Sequence, residues 1–167
     1  MNVPIQPSLL AETGPLVISK DVFVCFEMCG DPRGKGSPRF RVVKPRFKPQ
    51  FVMTYFDRDT EDYVAALKQT AALAMRGRRP TTQPVGLLLH AFMPCFVSWS
   101  DRKALDALSG AILPTGKPDW DNIGKMCDAL KGVVWGDDSA VVDGRVIKRY
   151  SDRPALRVEV REFLPRV

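Results

Sequence analysis

Near its end the chain reads Leu156-Arg157-Val158-Glu159-Val160-Arg161, a strict alternation of apolar and charged side chains. Successive side chains of a strand point to opposite faces, so this run fits a strand with one buried and one solvated face. That face needs cover from another layer. Ala140 to Tyr150 reads as a further strand, and "SDRP" at 151–154 as a turn between the two, which predicts a closing β-hairpin.

The rest of the chain supplies the other layer. Residues 16–29 are rich in β-branched and aromatic types and read as one or two strands, and "FVMTY" at 51–55 as a short returning strand. Between them, residues 30–49 are dense in Gly, Pro and cations, predicting an exposed loop or a long hairpin tip. From Asp59 to Met75 the period becomes helical: Tyr63, Leu67, Thr70 and Ala74 share a face, acids open the segment, and Gly77 follows it among arginines. Residues 84–96 read as a largely buried strand, and Ser100 caps a short helix through Leu108. Ile123, Met126, Cys127 and Leu130 form the apolar stripe of a further helix that Gly132 ends. The expectation is an α+β fold, a single domain over residues 1–167 with a mixed, mostly antiparallel sheet packed by helices. A chain of 167 residues can bury a real core without staples.

Several function classes fall away. Residues 1–20 hold neither a basic head with an apolar run nor a membrane-length stretch, so the chain reads as soluble and intracellular, with no membrane partner. Cys25, Cys29, Cys95 and Cys127 include no Cys-x-x-Cys pair, which argues for buried free thiols rather than zinc. The single histidine, His90, sits in an apolar run and reads as a core residue, so histidine-based triad chemistry is not expected.

Charge is more telling. The net charge is +6, and residues 31–50 carry seven cations against Asp31 alone, whereas residues 117–143 carry six aspartates and three lysines. A basic arm is thus set apart from an acidic centre. Asp121, Lys125 and Asp128 fall on one polar helix face, where capping, an i, i+4 ion pair and plain solvation are the ordinary reading. Asp119 stands two residues before Asp121 in an extended approach, and Asp137 and Asp138 follow in the turn after Trp135. Three or more converging aspartates repel one another unless a cation intervenes, and a hard divalent ion such as Mg²⁺ is the natural one. Such an ion orients water and neutralises charge on a phosphodiester, with Lys125 placed to contact the scissile phosphate. The arm would draw in a nucleic-acid backbone through Arg33, Lys35, Arg39 and Arg41, with Phe40 and Phe47 available to stack on bases or to anchor the arm. Lys148 and Arg149 either add a second phosphate-binding strip or face solvent.

The stretch "KPDWDNIGKMCDALKGVVWGDDSAVV" resembles the RusA-type Holliday junction resolvases, endonucleases of bacteria and their phages, with support from "KGSPRF", "TYFDRDTEDY" and "VIKRY". The similarity spans most of Val22 to Val160. It implies a RusA-like fold, with Asp119, Asp121 and Asp138 as catalytic acids that bind Mg²⁺, an essential Lys125, and supporting places for Asp128 and Asp137. It also implies a homodimer that nicks four-way DNA junctions symmetrically, in the cytoplasm of a bacterial or phage-infected cell, with no small-molecule cofactor. Ser37 and Ala140 depart from the family pattern, where a second basic residue and a glutamine are frequent. Residues 1–15 have no counterpart and read as an N-terminal extension that is flexible or packs on a dimer edge. Two rivals stand beside this reading: a nuclease for other branched or flap DNA, and a junction-binding protein that does not cleave.

Overall fold

The computed structural model of the protein describes residues 16–165; the N-terminal extension expected at 1–15 lies outside them. In chain order the elements are β1 (Leu16–Ile18), β2 (Val24–Cys29), β3 (Arg39–Val43), β4 (Phe51–Tyr55), α1 (Arg58–Met75), β5 (Val85–Pro94), α2 (Asp101–Leu108), α3 (Trp120–Lys125), β6 (Val141–Ser151) and β7 (Ala155–Pro165). Short 3₁₀ segments at Met126–Leu130 and Asp138–Ala140 follow α3 and precede β6. The architecture is α+β, with a mixed and mostly antiparallel sheet, as expected.

The alternating run does form a strand, and a central one. β7 pairs antiparallel with β2 and β1 along one edge and with β5 along the other. β6 lies outside β5 and parallel to it. The expected closing hairpin is therefore not formed: β6 and β7 follow each other in sequence but β5 lies between them. The reason is polarity. β5 is almost uninterruptedly apolar and is satisfied only with a neighbour on each edge, whereas β6 carries Asp143, Arg145, Lys148 and Arg149 and tolerates the sheet edge. The link over β5, residues 152–154, crosses two strand spacings, ~10 Å, which is within reach of so short a segment.

One sheet face makes the core. Val24, Phe26 and Met28 of β2, Leu87, Leu89 and Ala91 of β5, and Leu156, Val158 and Val160 of β7 fall in register and pack against Leu67, Ala71 and Met75 of α1. Asp57 caps α1 by accepting the Thr60 N–H at 3.0 Å, and Arg76, at φ 48°, ends it before Gly77. Arg78 Nε then donates to the Met75 carbonyl at 3.2 Å, so a cation does meet the helix end. The stripe Ile123, Met126, Cys127 and Leu130 is buried as expected, although the helix tightens to 3₁₀ after Lys125.

Two expectations fail on the opposite face of the sheet. Cys25 and Cys29 share the solvent face of β2 with Glu27, because the pleat that buries Val24, Phe26 and Met28 turns their neighbours outward. By the same alternation, His90 is half-buried on the outer face of β5, edge-on to Phe92, and is not in the core.

The basic segment forms a hairpin. β3 and β4 pair only with each other, Arg39 opposite Tyr55 and Arg41 opposite Met53, and nearly all of both strands is exposed. Phe47, in the connecting loop, is 89% exposed.

Candidate active site

The arm root reaches the acidic centre directly. Lys35 N–H donates to the Asn122 carbonyl at 2.8 Å, and a Cβ on Gly34 would stand 2.9 Å from the Cβ atoms of both Asn122 and Pro118. Only glycine lets the loop lie this close to the start of α3. Between the two is a cleft of about 820 Å³ whose lining includes Arg33, Lys35, Asp119, Asn122, Lys125 and Asp128. Cations on one wall therefore face acids on the other.

Asp119 is the N-cap residue of α3, yet its side chain makes no capping hydrogen bond. Among the described residues no cation pairs with it, so its carboxylate is open to the cleft. Asp121 accepts from Lys125 Nζ at 2.9 Å, and that ammonium holds its carboxyl below the usual carboxylate range. Lys125 Nζ also lies 3.5 Å from Asn122 Oδ1. Asp128 is not simply solvated: it binds Lys35 Nζ at 2.6 Å, tying the arm to the 3₁₀ segment. Arg33 in turn meets Asp59 at 3.1 Å.

Asp137 and Asp138 sit on the Asp128 side. Burial first, then Asp128 and Asp138, push the Cys127 thiol up to about 12. Asp137 binds Lys131 Nζ at 2.6 Å, which lowers its own pKa and raises that of Lys131, and its Oδ1 accepts from the Ser139 N–H. Asp138 Oδ1 accepts from the indole N–H of Trp135 at 3.3 Å.

The remaining predicted residues lie elsewhere. Arg39 and Arg41 stand on the hairpin. Lys148 Nζ donates to the carbonyls of Gly116 at 2.6 Å and Pro118 at 2.8 Å, so it braces the loop that delivers Asp119, and Arg149 turns back on the Lys148 carbonyl. Asp121 and Asp138 are not among the residues lining the main cleft. Among the described residues no three carboxylates stand within reach of one ion. The chemistry of the donors nevertheless fits a hard cation: Asp119 and Asp138 have no ammonium partner among the described residues, and Asp121 is held only by an exposed i, i+4 pair, among the weakest of ion pairs.

Gly34, Lys131 and Trp135 also bear on the site, and no sequence pattern marks them as such. Gly34 is one glycine of a Gly-x-Gly run between cations, and Lys131 and Trp135 give no signal until the turn to Asp138 is folded.

A basic arm root lies against an acid-bearing helix start on an α+β sheet, an arrangement of charge suited to a phosphodiester backbone. Residues 30–161 match the family Endodeoxyribonuclease RusA, and the chain belongs to it. The chain is also similar to the "Uncharacterized protein YqaN" of Bacillus subtilis (strain 168), 36% identical over 145 residues that cover 82% of this chain and 94% of that protein. Membership makes the protein an endodeoxyribonuclease of the Holliday junction type. Among the described residues no helix is long and apolar enough to cross a membrane.

Proposed function

We propose that the protein is a Mg²⁺-dependent, structure-selective endonuclease that resolves four-way DNA junctions by symmetric paired nicks, acting as a homodimer in the cytoplasm of a bacterial or phage-infected cell. The observation that carries this is the cleft in which Arg33 and Lys35 face Asp119 and Lys125. Family membership supplies the junction substrate, and divalent-metal dependence is general among RusA nucleases. Asp119, Asp121 and Asp138 would hold the ion once their carboxylates turn toward one point, and the ion would supply a polarised water and a counter-charge for the phosphodiester. Arg33, Lys35, Arg39 and Arg41 engage backbone phosphates through charge-assisted hydrogen bonds. The phosphate, arriving in the cleft, competes with Asp121 for Lys125, so one movement of that side chain frees a carboxylate and delivers a cation to the reacting group. Asp128 anchors Lys35, Asp137 orders the turn that presents Asp138, and Lys148 with Arg149 steadies the loop before Asp119.

The test is incubation with a labelled four-way junction, a matched duplex and a flap, each with Mg²⁺ or with chelator, and again with Asp121→Asn. Expected is Mg²⁺-dependent nicking of the junction, and an Asp121→Asn variant that binds the junction at least as tightly while nicking at least ~100-fold more slowly. Equal cleavage of flap and junction would favour the broader branched-DNA nuclease, and binding without cleavage would make the chain a junction-binding protein.

A further inference from the structure

Trp135 is only 1% exposed, and its indole nitrogen is a donor with no acceptor capacity. Among the described residues, the side chain that meets this N–H is Asp138, at 3.3 Å. The indole itself cannot drift. The Trp135 carbonyl accepts from Gly132 N–H at 2.7 Å, Thr81 N–H donates to the neighbouring Val134 carbonyl at 2.9 Å, and the backbone of Trp135 bridges to both Thr81 and Lys131. On the other side of Asp138, the Lys131–Asp137 ion pair at 2.6 Å and the Asp137 cap on Ser139 N–H close the same short turn. An exposed aspartate is thus tied by one oxygen to the core, while its second oxygen has no partner among the described residues.

We infer that Trp135 is a positioning residue: its buried indole N–H holds the Asp138 carboxylate by Oδ1 and leaves Oδ2 free to take a divalent cation. This rests on the reading of Asp138 as a metal-holding residue. A carboxylate on an exposed turn samples several rotamers, and a donor on a rigid ring removes that freedom before the ion arrives. No proton moves.

The test uses Mn²⁺ alone as probe, with bound ion counted by loss of the free-ion EPR signal, on the full chain and on Trp135→Phe, Asp138→Asn and the double variant. Expected is a weakening of Mn²⁺ binding by about tenfold in Trp135→Phe, a weakening at least as large in Asp138→Asn, and no further loss when both are combined, because one change acts through the other. In nicking assays Trp135→Phe should raise the metal concentration needed for half-maximal rate while leaving the rate at saturating metal within about threefold. A purely structural role would instead lower the saturated rate and the thermal midpoint together. Should phenylalanine at this buried site unfold the chain, benzothienylalanine at position 135 keeps the ring shape without the N–H and gives the same readouts. Unchanged Mn²⁺ binding in the folded N–H-less variant, or an equal additional loss in the Asp138→Asn background, overturns the inference about Trp135. Unchanged Mn²⁺ binding in Asp138→Asn overturns it from the other side, by removing Asp138 from the metal.

Discussion

At the scale of single residues, Cys127 shows how burial near an acidic cluster becomes measurable. Its thiol is pushed up to about 12, first by burial and then by Asp128 and Asp138, whereas an unfolded thiol ionises near ~8.5. Between those values the unfolded chain releases a proton that the folded chain keeps, so stability falls as pH rises through that window. Denaturant unfolding across pH ~8–11 should show this decline, and in Cys127→Ala the onset should move to near pH ~10, where Tyr63, itself raised to about 12 by burial, begins to contribute. Under native conditions at pH ~8 a thiol reagent should modify the exposed Cys25 and Cys29 and spare Cys127. The two exposed cysteines also mark a limit of reading by residue type. Cysteine is an apolar, usually buried residue, but on β2 the pleat decided, and nothing in the letters alone says which of two alternating sets faces inward.

At the scale of elements, the decisive approach is that of the arm root to the start of α3. Gly34→Ala places a methyl 2.9 Å from two Cβ atoms that are fixed to backbone, a clash of the kind that costs ~1–3 kcal/mol. The arm should lift, exchange of the Lys35 amide should quicken, and nicking should fall about tenfold or more, since misplacement of this order is severe for positioned groups. Hydrogen exchange and junction cleavage on one preparation check both halves. Elements were the most legible level of the sequence: the helix of α1, the Ser100 cap of α2 and the buried stripe at 123–130 stand where the periodicities put them, although the buried face of α1 is Thr60, Leu67, Ala71 and Met75, with Tyr63, Thr70 and Ala74 half-buried beside it. The hairpin expected of β6 and β7 is absent for a simple reason. Two strands joined by a tight turn look like a hairpin from sequence, and the insertion of β5 between them is set by long-range burial that no local pattern records.

At the scale of the whole molecule, charge is the organising quantity. The hairpin holds its cations away from the sheet, and three of the six aspartates of the centre are matched by lysines, Lys35 with Asp128, Lys125 with Asp121 and Lys131 with Asp137. DNA binding should therefore fall steeply with salt, and Arg39→Ala with Arg41→Ala should flatten the logarithmic salt slope by ~2, about 0.9 for each phosphate no longer neutralised, leaving the shape of the pH profile alone. Titration of junction affinity between ~50 and ~200 mM salt checks it. Of the candidate site, the helix bearing Asp121, Lys125 and Asp128 was legible. The assembly of the site was not, because whether an aspartate meets a lysine or open space depends on side-chain neighbours far apart in sequence, as Lys35 and Asp128 are. The place of β7 has one more consequence. This strand, at residues 155–165, is the partner of β1, β2 and β5 alike. Whatever the order of assembly, β1, β2 and β5 join into one sheet only once residues 155–165 are in place between them.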